Sequence, residues 1–345
     1  MKKHAIIPIF IPHLGCPNDC VFCNQRKITA RTEVPSEDDV RMTIEEWLTT
    51  LKPEETEIEI AFYGGSFTGL PIDEQSSYLS VAKEYLDAGI ITGIHLSTRP
   101  DYISAEILDN LKAHGVTTIE LGVQSFDDSV LAASNRGHDS SVVYKACDLI
   151  KSYGFRLGIQ LMIGLPGDTL ETCLYSAKET AKLRPDLARL YPTIVLDDTE
   201  LLSMYERGAY QALTREEAVL RTKEMYKILD ETGIYIMRVG LKSTDIIGDG
   251  GAINGGTYHP AFRQLVESAI IRDKLEPQLL NLASSGAARV NVFTNSAWFS
   301  NLIGNNKENK VYFAEKFPSL SIRYGVDNSL KDGEVKARTS ALTTL

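Results

Sequence analysis

Apolar and polar positions alternate between two patterns along the first 240 residues. Short runs rich in β-branched and aromatic residues recur, and segments with apolar residues at helical spacing separate them. This alternation is the signature of repeated βα units, which build a parallel sheet. The pattern predicts six strands, at residues 5–11, 57–63, 93–98, 117–123, 156–163 and 188–195.

Helices are predicted between these strands, and several carry end signals. Ser36 with Asp39 is typical of a capping box that opens a helix running to about Leu51. Further helices are predicted at residues 73–88, 104–114, 140–153 and 215–232, each ending at or just before a glycine. Every conspicuous polar motif then follows a strand, where the loops of a parallel barrel gather.

Six βα units are too few to close an eight-stranded barrel, so the sheet is either open and doubly wound or a partial barrel. After Val239 the pattern changes to a glycine-rich stretch at residues 248–256, a helix from Pro260 to about Lys274, and three weak strands at residues 288–294, 320–324 and 334–338. We therefore expect a core over residues 1–239 and a smaller α+β extension over residues 240–345. The glycine-rich stretch reads as a lid or linker, and the extension as a cover for part of the barrel mouth.

Composition limits the partners. Lys and Arg number 36 against 46 Asp and Glu, so the net charge is −10 and the chain as a whole does not attract phosphate backbones. DNA binding is not expected, and RNA binding would need a local basic patch. Since no apolar run approaches the ~18 residues that span a bilayer, no membrane association is expected.

The cysteines indicate a reducing compartment. The chain has five of them, an odd number, and prolines interrupt the short apolar run near the N-terminus that would otherwise resemble a secretory signal. Cys147 and Cys173 are solitary and lie in helical segments, so we expect buried, unreactive thiols. Together these features predict a cytoplasmic protein.

The other three cysteines, Cys16, Cys20 and Cys23, fall within eight residues. Three thiolates suit an iron–sulfur cluster with one iron left open, since structural zinc sites and ferredoxin-type clusters take four protein ligands. The alternative is a zinc site in which His4 or His13 supplies the fourth ligand. A metal centre is predicted in either case.

Several motifs follow the cluster in a fixed order: Phe62-Tyr63-Gly64-Gly65-Ser66-Phe67-Thr68, Leu96-Ser97-Thr98-Arg99-Pro100-Asp101, Glu120-Leu121-Gly122-Val123-Gln124, Ser134-Asn135-Arg136-Gly137-His138 and Met162-Ile163-Gly164-Leu165-Pro166-Gly167. With the cysteines, they resemble the radical S-adenosylmethionine (radical SAM) enzymes over about residues 5–270. The resemblance is greatest to the radical SAM portion of the Elongator catalytic subunit, which modifies tRNA wobble uridine, and extends to oxygen-independent coproporphyrinogen oxidases. No acetyltransferase domain of the Elongator kind is expected in this chain.

The resemblance implies a six-stranded partial (β/α) barrel and two cofactors. A 4Fe–4S cluster would be held by Cys16, Cys20 and Cys23, and S-adenosylmethionine would bind its open iron. Residues that would contact S-adenosylmethionine are Phe22, Gly64, Gly65, Ser66, Ser97, Thr98, Arg99, Gln124, Arg136 and Met162. Ser66 departs from the Thr or Glu that family members often carry.

Ordinary structural roles compete with several of these assignments. Phe22 would serve equally as a hydrophobic plug, the two glycines as a turn, and Met162 as core. Asp101 is expected to orient Arg99 or cap a helix, Glu120 is as compatible with a structural role as with a functional one, and His138 reads as a structural histidine more readily than as a proton donor.

The sequence therefore predicts a radical SAM enzyme that reductively cleaves S-adenosylmethionine and acts on an organic substrate. A tRNA base is the first candidate by resemblance, with a tetrapyrrole or another small molecule as the alternative. A flavodoxin or ferredoxin would supply electrons, and Arg238, Lys242 and Arg263 are candidates for a local anion site. The competing class is a non-catalytic iron–sulfur or zinc scaffold.

Overall fold

The computed structural model describes residues 3–11, 16, 20–24, 34–241 and 253–339. Two compact units divide the chain. The first comprises Met1–Thr214 and Met225–Tyr258, and the second comprises Arg215–Glu224 and His259–Leu345. The role expected for residues 240–345, covering the barrel mouth, stays a prediction.

A parallel sheet forms the first unit. Its seven strands lie in the order β1-β2-β3-β4-β5-β6-β8, and every neighbouring pair is parallel. They are β1 (Lys3–Ile11), β2 (Thr56–Gly64), β3 (Gly93–Thr98), β4 (Val116–Gln124), β5 (Arg156–Ile163), β6 (Leu187–Pro192) and β8 (Tyr235–Val239). Because strand order follows chain order, the sheet is not doubly wound. The partial (β/α) barrel is confirmed, with seven strands where six were expected.

Two predictions about the end of this sheet were wrong. The seventh strand, β8, was missed because Tyr235 and Arg238 are exposed, which hides its alternation. The strand expected at residues 188–195 is divided, since β6 ends at Pro192 and β7 (Ile194–Leu196) pairs antiparallel with β9 (Ile253–Gly256). The last four residues of the glycine-rich stretch thus form a strand, and its residues 248–252 lie outside the described part of the chain.

The helices of the first unit follow the strands. They are α1 (Glu37–Leu48), α2 (Ile72–Asp87), α3 (Ala105–Ala113), α4 (Asp128–Ala133), α5 (Ser140–Ser152), α6 (Leu170–Leu183) and α7 (Glu200–Glu206), with α8 (Arg215–Glu231) running from the second unit into the first. The predicted capping box is confirmed, because Ser36 Oγ accepts from the Asp39 N–H and the Asp39 carboxylate accepts from the Ser36 N–H at 2.8 Å.

The two faces of the sheet differ in polarity. On one face, Ile58, Ile60 and Phe62 are almost wholly buried, and the Phe62 ring contacts Tyr78 of α2. On the other face, alternate positions carry polar side chains such as Tyr63 and Arg189. The first face is the hydrophobic core, and the second lines the interior of the barrel, which we call the lumen.

A contact across the lumen shows how far the sheet curls. Arg189 Nη2 donates to Tyr63 Oη at 2.6 Å, although β6 and β2 are four places apart in the sheet. In a flat sheet four strand spacings would separate the two backbones by ~19 Å, too far for these side chains to meet. The guanidinium also lies 4.9 Å from the centroid of the Tyr63 ring.

Arg189 has a buried counter-ion. Its Nε lies 2.8 Å from Glu120 Oε2, and the Glu120 side chain is 1% exposed. Burial acts against the charge of this carboxyl, but Arg189 holds the pKa of Glu120 below its usual value. A Cβ at Gly158 would lie 3.1 Å from the Glu120 side chain, so the absence of a side chain there makes room for Glu120.

The second unit is a smaller α+β structure. Its sheet has the order β11-β10-β12, with β10 (Arg289–Thr294), β11 (Ser321–Val326) and β12 (Lys336–Thr339). Its further helices are α9 (Phe262–Ser284), α10 (Phe299–Ile303) and α11 (Glu308–Lys316). Helix α9 continues past the expected end near Lys274 and through Pro277, because Leu275 and Leu279 are wholly buried and packing outweighs the cost of proline.

Gly64 allows a close approach of backbones at the end of β2. Its φ is +117°, and a Cβ there would lie 2.5 Å from the Ile11 carbonyl oxygen of β1.

We expect Gly64→Ala to lower the free energy of unfolding by about 2–4 kcal/mol, through the positive φ and a backbone clash. Gly89→Ala is the matched control, since φ is +69° but nothing lies within 4 Å, and should cost about 1 kcal/mol. Chemical denaturation measures both, and equal losses would show that the Ile11 contact is unimportant.

Candidate functional site

The predicted site residues gather at one edge of the sheet. Gly64, Thr98 and Gln124 are the last residues of β2, β3 and β4, and Met162 is the last but one of β5. Since all these strands are parallel, their carboxyl ends lie at the same edge. The cysteine loop follows β1 and so begins there too.

Contacts on two sides fix the cysteine loop. The Val21 N–H donates to Ser134 O at 3.2 Å, and Val21 O accepts from the Leu201 N–H at 2.7 Å. Phe22 packs beside Val21 against a small cluster that includes Leu201 and Tyr210. Phe22 therefore has the contacts expected of a hydrophobic plug, and its contact with a cofactor stays a prediction.

The described residues do not by themselves form a metal site. Among them, no three His, Cys, Asp or Glu side chains are placed to hold a metal ion, and residues 17–19 of the loop lie outside the described part. His13, one candidate fourth ligand, also lies outside it. His4, the other, pairs with Glu59 at 2.9 Å, seven residues and ~23 Å of strand before the carboxyl end of β1. This position does not suit a ligand of the same metal.

Two guanidinium groups converge on the Cys20 sulfur. Arg136 Nη1 lies 3.2 Å from Cys20 Sγ and Arg99 Nη1 lies 3.8 Å away, and all three residues are buried. Burial opposes the charge on Arg99, but Asp101 and, more weakly, the thiolates of Cys20 and Cys16 raise the pKa of Arg99 above its usual value. The surroundings of the loop are therefore cationic, and cationic neighbours favour the thiolate form in which cysteine binds metals.

Other contacts hold these guanidiniums in place. Asp101 accepts from Arg99 Nε at 2.9 Å and from Nη2 at 2.8 Å, which is the orienting role expected for it. Arg136 Nη2 donates to Gly122 O at 2.6 Å and lies 3.5 Å from His138 Nε2. Burial, with Arg136 as the second cause, lowers the pKa of His138, so this histidine is neutral at physiological pH.

Gln124 has an unusual backbone. Its φ is +71°, in the left-handed region that disfavours residues other than glycine, and its Oε1 accepts from Gln160 Nε2 at 3.1 Å. A Cβ at Gly122 would lie 2.9 Å from Gln124 Nε2 and 3.9 Å from Arg136 Nη2. The structure thus brings the predicted polar pair together around Gly122. Strained non-glycine residues of this kind concentrate at functional sites.

Several predicted contact residues already have partners within the protein. The Gly65 N–H donates to Ile11 O at 2.9 Å. Thr68 Oγ1 uses its hydrogen to donate to Tyr102 O. In the 2.6 Å hydrogen bond between the Thr68 and Thr98 hydroxyls, Thr98 is therefore the donor. The Thr98 hydroxyl can therefore only accept from a ligand. Ser66 is buried, and Ser97 and Met162 are partly exposed on the lumen face.

Sequence reasoning missed the polar lumen. Tyr63, Gln160 and Arg189 were not assigned a role, although each is a polar residue at an alternate position of a strand that otherwise reads as apolar.

The structure does not bring the three residues proposed as an anion site together. Arg238 is exposed on β8, Arg263 pairs with Glu267 at 2.7 Å in the second unit, and Lys242 lies outside the described residues. Within the described ranges, no helix is both long and apolar enough to span a membrane.

Comparison with known proteins agrees with these features. A family model described as the radical SAM superfamily matches residues 10–179, and one described as the radical SAM C-terminal domain matches residues 185–272. The tRNA uridine(34) acetyltransferase of Methanocaldococcus infernus is 35% identical over 127 residues, which is 36% of this chain and 24% of that protein. An uncharacterized protein of Methanocaldococcus jannaschii is 28% identical over 231 residues, 63% of this chain and 70% of that protein.

A solved structure shares the fold. The archaeal Elp3 of Methanocaldococcus infernus, with an N-terminal deletion, superposes with a TM-score of 0.65 at 22% identity, covering 80% of this chain and 64% of that one. At this identity the likeness shows the fold alone. The resemblance to the Elongator subunit predicted from sequence is confirmed, and the chain spans about a quarter of the length of the acetyltransferase that it matches.

The positive φ of Gln124 makes a testable prediction. Gln124→Gly and Gln124→Ala lose the same side-chain hydrogen bond, but only alanine keeps the backbone strain, so the glycine variant should be the more stable by about 1 kcal/mol. Gln160, which donates to Gln124, has the backbone of a regular strand. There the alanine variant should be more stable than the glycine variant by about 0.5–1 kcal/mol. Urea denaturation of the four variants decides. An alanine variant more stable at both positions would show that Gln124 is not strained.

Proposed function

Because the chain belongs to the radical SAM superfamily and is therefore an enzyme, we propose that Cys16, Cys20 and Cys23 bind a 4Fe–4S cluster with one iron open to S-adenosylmethionine. The observation that carries this proposal is the convergence of Arg99 and Arg136 on the Cys20 sulfur. Two buried cations beside a thiol fit a thiolate ligand. A hydrophobic thiol such as Cys147 has no such surroundings, and burial raises the pKa of Cys147 to about 12.

Gln124 and Arg136 are assigned to S-adenosylmethionine. The Gln124 amide and the Arg136 guanidinium both lie close to Gly122, where a Cβ would come within 2.9 Å of Gln124 Nε2 and 3.9 Å of Arg136 Nη2. An amide and a guanidinium suit a ribose and a carboxylate. The Ser97 hydroxyl and the backbone of Gly65, both partly exposed, lie at the same edge of the sheet and complete the polar surroundings.

When bound and reduced by one electron, the cluster and S-adenosylmethionine supply a 5′-deoxyadenosyl radical that abstracts hydrogen from an organic substrate. The residues of this chain bind and orient these groups and limit the access of water. Asp101 holds Arg99 in the orientation that places it near Cys20, and Gly122 O does the same for Arg136. A flavodoxin or ferredoxin is the proposed electron donor.

The proposed substrate is a uridine in tRNA. Relatives of this chain are named tRNA uridine(34) acetyltransferases, and two of them are 35% identical over 127 residues and 31% identical over 182 residues. A net charge of −10 opposes long-range attraction to RNA, so binding must come from few, local phosphate contacts. Of the three residues proposed as an anion site, Arg238 is the one that is described in the first unit, where it is exposed near the carboxyl end of β8.

The cluster assignment predicts which cysteines hold iron. We expect anaerobically purified protein to contain one four-iron cluster per chain and to produce 5′-deoxyadenosine from S-adenosylmethionine and dithionite. Cys16→Ala, Cys20→Ala and Cys23→Ala should each abolish both, because no other thiolate lies nearby. Cys147→Ser and Cys173→Ser are the controls, since Cys147 is wholly buried and the Cys173 thiol donates to Asp168 at 3.0 Å. Zinc in place of iron, with no cleavage, would contradict the assignment.

The charge balance predicts weak tRNA binding with a shallow salt dependence. Each neutralised phosphate contributes a slope of about −0.7 to −0.9 in a plot of log affinity against log salt concentration, and few such contacts are expected. Arg238→Glu should weaken binding without changing 5′-deoxyadenosine formation. Lys52→Glu is the matched charge reversal, at an exposed position before the amino end of β2. Steeply salt-dependent, tight binding would show that net charge is a poor guide for this protein.

A further inference from the structure

The lumen face of the first unit is partly open to solvent. Tyr63, Ser97, Gln160 and Tyr191 are each partly exposed on this face. Neighbouring strand residues on the opposite face, Phe62, Leu96, Leu161 and Leu190, are at most 1% exposed. A packed barrel interior would bury both sets alike. The lumen face is therefore more accessible than the core face at these four positions, and we call this accessible part of the lumen the chamber.

One guanidinium organises two hydroxyl groups in this chamber. Arg189 Nη2 donates to Tyr63 Oη at 2.6 Å, and Arg189 Nη1 donates to Tyr191 Oη at 3.3 Å. A guanidinium only donates, so each hydroxyl oxygen accepts and keeps its own hydrogen to give away. In the part of the chain that the structure describes, neither hydroxyl donates to a protein acceptor.

The electrostatics favour an uncharged ligand atom. Glu120 Oε2 lies 2.8 Å from Arg189 Nε, so the two hydroxyl groups are hydrogen-bond donors beside a paired guanidinium rather than a free one. Burial, against a smaller opposing effect of Arg189, raises the pKa of Tyr63 to about 12, and this hydroxyl keeps its proton at physiological pH. A phosphate or carboxylate would lack a counter-charge here, whereas a carbonyl oxygen would find two donors.

We propose that the hydroxyl groups of Tyr63 and Tyr191 together bind a carbonyl oxygen of a uracil ring inside the lumen. This inference rests on the proposed function, because it names the part of the substrate that enters the barrel. Gln160 is suited to bind a ring N–H that lies next to this carbonyl. It pairs in register with Arg189, and its amide nitrogen donates to Gln124 Oε1. Its amide oxygen is then available to accept. A base must leave its stack to reach such a chamber.

The test compares two RNAs rather than two activities. An anticodon stem-loop with uridine at the wobble position and a matched stem-loop with an abasic residue there share every phosphate contact. Anaerobic, cluster-loaded protein with S-adenosylmethionine is titrated with each, and fluorescence anisotropy gives the affinity ratio. Wild-type protein should prefer the uridine RNA, and Tyr63→Phe and Tyr191→Phe should each reduce that preference about 3- to 10-fold, the effect of one lost hydrogen bond.

Phenylalanine keeps the ring and removes only the hydroxyl, so the stacking of Tyr63 on Arg189 at 4.9 Å is retained. Tyr235→Phe is the control, because Tyr235 is 58% exposed at the amino end of β8, away from the carboxyl edge. Iron content and denaturation midpoint equal to wild type identify variants that are correctly folded. Should one variant fail this criterion, the other carries the test alone.

Two results would overturn the inference, and they differ. If wild-type protein binds the uridine and abasic RNAs equally, no base enters the lumen, and the tRNA part of the proposed function falls with it. If wild-type protein prefers the uridine RNA and both phenylalanine variants keep the full preference, the tyrosine pair does not bind the base. In that case the proposed substrate stands and only this assignment is wrong.

Discussion

The polarity of the barrel interior depends on the burial of one guanidinium. Arg189 reaches across the lumen from β6 to Tyr63 on β2 and pairs with Glu120 on β4. Removing a charge from water costs several kcal/mol even after relaxation, and the cost is offset only when hydrogen bonds and an opposite charge replace the lost water. Losing one partner of such a pair leaves a buried charge uncompensated, at about 3–5 kcal/mol.

The buried Arg189–Glu120 ion pair also constrains a neighbouring residue that has no side chain. A Cβ at Gly158, on the strand between Glu120 and Arg189, would lie 2.7 Å from Leu187 Cδ1 and 3.1 Å from the Glu120 side chain. The glycine therefore leaves room for both side chains at the cost of a position that would otherwise favour the strand. The lumen is polar because its centre is occupied by the Arg189–Glu120 ion pair, where closed (β/α) barrels carry apolar layers.

Local patterns predicted most of the fold, and their failures have physical causes. Strands β1 to β5 were predicted from apolar runs, because one face of each strand is buried in the hydrophobic core. Strand β8 was missed since Tyr235 and Arg238 are exposed. Helix α9 was predicted to end near Lys274, but it continues through Pro277 because buried leucines on both sides of the proline stabilise it. Tertiary packing outweighed local preference in that helix.

The position of the candidate site was predictable, and its internal connections were not. Loops after parallel strands meet at one edge, so motifs far apart in sequence could be placed together before any coordinates were known. The contact between Tyr63 and Arg189 has no such local signal, because it depends on how strongly the sheet curls. Gly64 illustrates the same limit: its sequence context suggested approach to a ligand, and the structure adds a backbone reason in the Ile11 carbonyl.

Charge at the cysteine loop differs in sign from charge over the whole chain. The chain carries −10, yet Arg99 and Arg136 are buried beside Cys20, and among the described residues the Asp101 carboxylate pairs with Arg99. Despite its burial, Arg99 has a pKa above its usual value, because Asp101 and, more weakly, Cys20 and Cys16 raise it. Interactions over 3–4 Å in a poorly hydrated site are much stronger than those among exposed charges separated by more than a Debye length. Anion binding at this edge of the sheet is therefore governed by a few fixed cations, whatever the net charge of the protein.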